Sequence, residues 1–570
     1  MAMTGARLLW ECLVREEVEI VFGYPGGAVL PVYDALDEYP IRHVLARHEQ
    51  GAAHMADGYA RAGGRTGVVL ATSGPGATNL VTGIATAMLD STPMVCLTGQ
   101  VAEDQIGSDA FQEIDITGVT LPITKHNYLV SRACDIVPVV REAFWLARSG
   151  RPGPVLVDLT KDAQLESCEL DWDSAEPTLG LRQPEPIPPQ SALDEAADLI
   201  RAARRPIVLA GHGVLLAGAS RELADLVVRT GIPVAFTLLG LGAFPASHPL
   251  SLGMMGMHGE SWVNGAIQRA DLLLALGMRF DDRATGKTSG FAPHARKIHV
   301  DIDPSEIDKR VPVELAVVGD LRAVLRRLLE QVHTGCPQDW PREIDALRRD
   351  AAAHDILNAD AGDRLHTAHV IHDLWRATRG EAIVVSDVGQ HQMWEAQYYR
   401  HERPRSLITS GGLGTMGFAL PAAIGAKLAK PEEEVWVVVG DGGFQMTQQE
   451  LGTAMQEGVK LNVAIINNGY LGMVRQWQEF FYGGRYCATP LANPDFVQLA
   501  RAYGFEASAV ASRADVIPAV EAARVDPRTC VIEFPVYRED CVYPMVPAGA
   551  ELHAMLRRPR PPAAAAGVDR

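Results

Sequence analysis

Two oxygen-bearing side chains end two apolar runs in VVVGDGGFQMTQQELGTAMQEGVKLNVAIINNGYLGM, residues 437–473. A strand closing on Gly440-Asp441-Gly442, then a helix, then a strand closing on Asn467-Asn468 puts Asp441 and Asn468 at the carboxyl edge of a parallel sheet. Sheets of that kind bind ligands there. One anionic and one amide oxygen suit a hard cation such as Mg²⁺, which keeps room for phosphate oxygens and water. Gly442 and Gly443 let the backbone approach a diphosphate at the start of the next helix. A lone Gly-Asp-Gly is more often a turn with Asp as helix cap. The paired asparagines one helix later favour ligand binding.

A third candidate lies far upstream, in ARHEQGAAHMADGYARA, residues 46–62. Glu49 opens a helix of small residues. It reads either as a surface charge complementing the helix dipole or as a buried carboxylate held for chemistry. The stretch alone leans only slightly towards burial.

The elements that must position these groups alternate. VEIVFG, GVVLATSGPG, TPMVCLTG and GPVLVDLT are short, β-branched runs separated by helical patterns. This is the signature of α/β domains with a doubly wound parallel sheet. A Pro-rich linker, residues 182–190, precedes a second block with strands at RPIVLAGHG, IPVAFTL, ADLLLALG and KIHVDID. A third block carries AIVVSDVG, EVWVVVGDG, NVAIINNG and TCVIEFPV. The expected organisation is three similar-sized domains, 1–181, 191–335 and 364–556, with a disordered tail, 557–570. The 570 residues fit that count. A net charge of −18 argues against nucleic acid and anionic membrane as partners. The N-terminus has no signal-peptide core and no stretch is long enough to span a bilayer, so a cytoplasmic protein is expected. Eight scattered cysteines without a CxxC pair predict reduced, mostly buried thiols.

With VGQH (388–391) and RHEQGA, the GDG…NN pattern resembles the thiamine diphosphate enzymes of the decarboxylase and carboligase superfamily. The finer resemblance is to the large catalytic subunit of acetohydroxyacid synthases. It is carried by GSDAFQE (107–113), TKHNYLV, GRPGPVLVDLTKD, MGMHG (255–259), GMRFDDRATGK (277–287), HVDIDPSEI, GGLGTMGFALPAAIGA, YLGMVRQWQEFFYGGRY and YPMVPAGAELHAML. These cover the chain from about residue 5 to near its end.

The resemblance implies roles, position by position. Glu49 matches the glutamate that hydrogen-bonds the cofactor's aminopyrimidine ring, with Gln112 near the reacting centre. Asp441, Asn468 and the backbone carbonyl of Tyr470 match the Mg²⁺ ligands. Gly389, Gln390, His391, Gly414, Gly442, Gly443, Leu471, Gly472 and Met473 match thiamine diphosphate contacts, and Met416 the residue that bends the cofactor. Phe111, Arg283, Met473 and Trp477 match the substrate site, with Arg283 receiving the acceptor carboxylate. Gly211, Gly213, Thr237, Leu238, Met257, His258, Gly277, Arg279, Asp281, Arg283, Asp301 and Asp320 match FAD contacts. The implied reaction joins two 2-ketoacids with loss of CO₂ and transfers no electrons, so FAD is expected to be structural. TSGPGATN (72–79) looks like a phosphate loop, but its family role is packing beside the pyrimidine. A homodimer or homotetramer with a shared active site is implied, and a separate regulatory small subunit is common in the family. The chain departs from the pattern at Ala102 to Gln105, where the substrate channel is lined, and at Gly469.

Overall fold

The computed structural model describes residues 2–169, 172, 186–333, 336–337, 339–358 and 364–559. Residues 182–185 of the linker and 560–570 of the tail lie outside them. Three six-stranded sheets carry the chain, and every strand pair within them is parallel. Their strands are Val-, Ile- and Leu-rich and buried on both faces, as strands covered by crossover helices must be.

The first sheet comprises β1 (Ile20–Tyr24), β2 (Arg42–Leu45), β3 (Gly67–Ala71), β4 (Met94–Gln100), β5 (His126–Val130) and β6 (Pro154–Thr160), in the order 2-1-3-4-6-5. The second holds β7 (Pro206–Ala210), β8 (Val234–Phe236), β9 (Ser251–Met254), β10 (Leu272–Leu276), β11 (Arg296–Asp301) and β12 (Leu315–Val318). Counted within the sheet, its order is 3-2-1-4-5-6, the order of dinucleotide-binding sheets. The third holds β13 (Ile383–Ser386), β14 (Leu407–Thr409), β15 (Val435–Gly440), β16 (Asn462–Asn467), β17 (Glu506–Ala509) and β18 (Cys530–Pro535). Its order repeats that of the first. Strand order reverses between β1 and β3 and between β13 and β15, so each sheet opens a crevice there.

Five helices matter for the site: α1 (Glu49–Gly63), α2 (Gln390–Tyr398), α3 (Ala419–Ala429), α4 (Asp441–Thr447) and α5 (Gly472–Phe481). The small residues of α1 serve a close crossing with α3. A Cβ at Gly58 would lie 1.9 Å from the Ala422 carbonyl oxygen, and one at Gly425 would lie 1.9 Å from that of Met55. One apolar core therefore runs from the first sheet through both helices into the third. Arg61 closes the contact. Buried, it pairs with Asp57 and Asp90 and donates to the Thr409 carbonyl at 2.8 Å.

The expectation of reduced thiols fails at one pair. Cys134 and Cys168 form a disulfide, with Cα atoms 5.5 Å apart. Cys134 lies in the first turn of the helix Ala133–Arg148, and Cys168 in a two-residue strand pairing with Met3–Thr4. β6 returns the chain past that helix, which brings together cysteines that no local spacing links. The other six cysteines are free. Among the described residues, no helix is long and apolar enough to cross a membrane.

Candidate active site

The third sheet builds its crevice from buried polar groups. Asp441, where β15 runs into α4, is buried. Its Oδ2 accepts from the Asn493 amide at 2.7 Å and from the Gly469 N–H at 3.1 Å. Asn467 Oδ1 takes the same two donors, at 2.9 and 3.0 Å. Both of these donors sit on one oxygen, and the N–H groups of Asp441 and Gly442 also donate to the carboxylate. Burial pushes the Asp441 carboxyl above its usual range, and the Asn493 and backbone donors oppose that. Asn468 Oδ1 accepts from the Tyr470 N–H at 2.9 Å, and its amide donates to Gln390 Oε1 at 3.4 Å. One carboxylate, one amide oxygen and a nearby carbonyl fit a hard cation that keeps water and phosphate ligands.

Around this donor set the backbone is bare. Gly389 caps α2 at φ 157°, and a Cβ there would lie 2.9 Å from His391 Cε1, as would one at Gly440. A Cβ at Gly442 would meet Leu471 at 2.9 Å and Met416 at 3.5 Å. One at Gly472 would lie 2.3 Å from Gln390 Oε1. Gly414 turns at φ 74° ahead of Met416. His391 accepts the Gly440 N–H on Nε2 at 3.3 Å. Burial drops its pKa to about 4, so the ring is neutral. These are the features of a cradle for an extended anion bridged by a metal, and the residues present fit thiamine diphosphate with Mg²⁺.

Two organisers of this crevice were not singled out in the sequence. Asp387, fully buried at the end of β13, accepts from the N–H groups of Val388, Gly417 and Ala419 at 2.8–3.0 Å. It ties the Gly389 loop to the Met416 loop. Asn493 orients Asp441. A carboxylate just before VGQH was a usable signal for the first; Asn493 had none.

The first domain holds Glu49 and Gln112 together, on either side of one loop. Glu49 Oε2 accepts from the Asn79 amide at 2.9 Å, and Oε1 lies 3.3 Å from where a Gly76 Cβ would be. Gln112 adopts φ 59° and backs against Gly74, whose Cβ would approach to 2.8 Å. Phe111 beside it is 88 % exposed. Within the single chain Glu49 is half-buried, not enclosed. Among the described residues no hydrogen bond joins it to Asp441 or Asn468.

On α5, Met473 packs beneath the third sheet and the Trp477 ring lies 5.1 Å from that of Phe481. Arg283 is exposed, its guanidinium 3.0 Å from Met257 Sδ.

The predicted FAD residues gather at the carboxyl edge of the second sheet. Gly211 and Gly213 follow β7 and Gly277 follows β10. Gly213 N–H donates to the Gly277 carbonyl at 2.9 Å, and a Cβ at Gly213 or Gly277 would lie 2.6 Å from the other's Cα. This is the point of strand-order reversal in that sheet. Thr237 and Leu238 follow β8, Asp301 ends β11, and Asp320 caps the helix Leu321–Gln331. Asp281 caps the short helix containing Arg283, and half-buried Arg279 precedes it. His258 is buried against the Pro544 carbonyl, its pKa lowered to about 4 by burial.

Comparison with known proteins assigns the same three parts. The N-terminal TPP binding domain of thiamine pyrophosphate enzymes matches residues 3–119, the central domain 193–328 and the C-terminal TPP binding domain 387–534. The acetolactate synthase large subunit of Corynebacterium glutamicum is 50% identical over 560 residues, covering 96% of this chain and 89% of its own. From Escherichia coli K12, acetolactate synthase isozyme 3 large subunit is 48% identical over 514 residues, covering 88% and 89%. Isozyme 2 is 44% identical over 557 residues, covering 98% and 100%. A glycine-lined crevice with buried oxygen donors, a helix-borne carboxylate and 44–50% identity to these relatives agree: the chain belongs to the thiamine pyrophosphate enzymes, in the family of acetolactate synthase large subunits.

Proposed function

We propose that the chain catalyses acetolactate synthesis: one pyruvate loses CO₂, and its remaining two-carbon unit joins the keto carbon of a second pyruvate or of 2-ketobutyrate. The products, 2-acetolactate and 2-aceto-2-hydroxybutyrate, lead to branched-chain amino acids in the cytoplasm. The observation that carries this reading is the crevice between β13 and β15, where Asp441 and Asn468 converge on a backbone stripped of Cβ atoms.

When bound, thiamine diphosphate supplies a thiazolium carbon that adds to the keto group and takes up the electron pair released with CO₂. The Asp441 carboxylate, Asn468 and the Tyr470 carbonyl would hold Mg²⁺. Gly389, Gln390 and His391 would take the diphosphate, with neutral His391 adding no charge of its own. Met416, reaching over Gly442, would set the bend of the cofactor. Glu49 would present Oε1 to the cofactor's aminopyrimidine ring, because Asn79 occupies Oε2 and the bare Cα of Gly76 leaves Oε1 open. Arg283 would receive the acceptor's carboxylate, bidentately as a guanidinium allows. Phe111, Gln112, Met473 and Trp477 would shape that site.

The 3-2-1-4-5-6 order and the Gly211–Gly213–Gly277 contact support FAD on the second domain, in a structural role, since the reaction balances without oxidation. The domain limits 1–181, 191–335 and 364–556 are part of the same reading. Among the described residues no hydrogen bond joins Glu49 to the Asp441 crevice within one chain, and Phe111, Leu121, Met446 and Val474 are exposed. A homodimer that sets the first domain of one copy against the third of the other would complete both. A tetramer and a regulatory small subunit are compatible additions.

The test is turnover of purified protein with pyruvate, thiamine diphosphate and Mg²⁺. Acetolactate should form, and formation should stop on chelation. Acetaldehyde as sole product would sink the proposal.

A further inference from the structure

One buried carboxylate of the third domain reaches the segment just before Glu49 in the same chain and has no part in the roles above. Glu450 ends the one-turn helix Gln448–Glu450 that follows α4, and it is fully buried. Both of its oxygens accept from the Arg47 N–H at 3.1 Å, and the His48 N–H also donates to it. Thr453 Oγ1 donates to Oε2 at 2.6 Å. Arg47 and His48 are the two residues before Glu49. The Arg47 side chain fastens the same segment, donating to the carbonyls of Gly452 and Leu45 and to Gln456 Oε1 at 2.9–3.1 Å.

The fit depends on a glycine one turn into α1. A Cβ at Gly51 would lie 2.3 Å from Glu450 Oε1. The opening N–H groups of a helix have no partner within it, and an anion placed there also meets the positive end of the helix dipole. Here the anion comes from another domain, some four hundred residues on. Burial raises the Glu450 pKa and its hydrogen bonds oppose that, so the carboxylate is held by the donors around it.

We infer that Glu450 is a positioning residue for Glu49: from the cofactor-binding third domain it pins the backbone at Arg47 and His48, and so fixes where Glu49 presents its carboxyl group. This rests on the reading of Glu49 as the group that acts on the cofactor. An error of an ångström in such a group costs about 100-fold.

The experiment compares Glu450→Ala, Glu450→Gln and Gly51→Ala with wild type, with Glu49→Gln alongside. Amide hydrogen exchange of a peptide spanning residues 45–52 is read by mass spectrometry in full-length protein without added cofactor. Exchange of the thiamine C2 proton is read by quenched NMR at saturating thiamine diphosphate and Mg²⁺. Glu450→Ala should raise amide exchange at Arg47 and His48 about tenfold or more and slow C2-proton exchange by about 10- to 100-fold. Cofactor affinity should stay within about threefold. Glu450→Gln, which keeps one acceptor oxygen, should lie between. Gly51→Ala should follow Glu450→Ala, because it displaces the carboxylate without removing it. Wild-type amide protection and C2 exchange in a folded Glu450→Ala overturn the inference. If that variant does not fold, the same result in Gly51→Ala overturns it, and so does failure of Glu450→Gln to fold, which makes the residue interdomain glue. If Glu49→Gln abolishes C2 exchange while the Glu450 variants leave it intact, only the positioning role falls. If Glu49→Gln leaves exchange at the wild-type rate, the role of Glu49 falls and takes this one with it.

Discussion

The first and third domains share one strand order and load it with opposite chemistry. Behind β13 and β15 stand Asp387, His391 and Asp441, all buried, with glycines wherever a ligand must approach. Behind β1 and β3 the equivalent loops, Tyr24-Pro25-Gly26-Gly27 and Thr72-Ser73-Gly74-Pro75-Gly76, carry small and hydroxyl side chains and no charge. A Cβ at Gly26 would strike Thr72 at 2.5 Å, and Thr72 Oγ1 is engaged by the Ala28 N–H at 3.2 Å. Glu49 enters this crevice from α1. On the proposed reading, the diphosphate and its cation would belong with the first arrangement, and the cofactor's neutral ring with the second. One scaffold used twice can thus bind the two ends of a single cofactor, provided that the burdens are divided.

The largest expected effects test that division. Asp441→Ala should lose Mg²⁺-dependent retention of thiamine diphosphate and with it about 10³-fold or more of the activity, since a bound cation supplies several kcal/mol. Glu49→Gln should keep retention, by equilibrium dialysis, yet lose about 10²–10⁴-fold in turnover, the scale of a positioned proton-transfer group. Loss of cofactor retention in both variants alike would break the comparison.

A smaller effect concerns the joint between the domains. Gly58→Ala and Gly425→Ala each force a methyl into a backbone carbonyl, and each should destabilise by about 3 kcal/mol in urea unfolding, the upper part of the usual overpacking range. Gly27→Ala, with nothing within 4 Å of its Cβ, should fall within about 0.5 kcal/mol of wild type. Equal stability of all three would mean that α1 and α3 do not cross as closely as described.

The legible part of the molecule was local. Strands such as Val435–Gly440 and Asn462–Asn467 announce themselves by apolar, β-branched runs. Asp441 and Asn468 stand out because each ends such a run. What escaped is carried by distant backbone. Glu450 meets Arg47 across 403 residues; Asp387 collects N–H donors, which leave no mark on residue type; Cys134 and Cys168 meet through the return of β6. The shared topology of the first and third sheets was invisible too, because strand order is a property of crossovers, not of composition. Glu49 was readable as a helix-opening carboxylate, but its burial was not, since a single chain leaves it half open.

The finest test uses one buried carboxylate from each domain. Asp158, within β6, accepts from Thr98 Oγ1 at 2.7 Å and Gln100 Nε2 at 2.9 Å, yet burial lifts its pKa from 3.8 to about 7. Burial lifts Asp387 to about 6 against its three backbone donors. A carboxyl whose folded pKa is raised still holds a proton at pH values where the unfolded chain has released it. Its contribution to stability is therefore complete below about pH 4 and is lost as pH rises, through about 6 for Asp387 and about 7 for Asp158. Each group costs about 1.4 kcal/mol per pH unit across its window. Asn at position 158 cannot ionise. Whatever constant penalty Asp158→Asn carries from pairing its amide with Gln100, its stability relative to wild type should climb by about 1.4 kcal/mol per unit from pH 4 to 7 and then level off. Urea midpoints measured in steps across that range give the difference curve directly. A flat curve would place the Asp158 carboxylate, charged, in the folded first domain. The first domain would then bury a charged carboxylate of its own on β6, and its contrast in buried charge with the third domain would narrow.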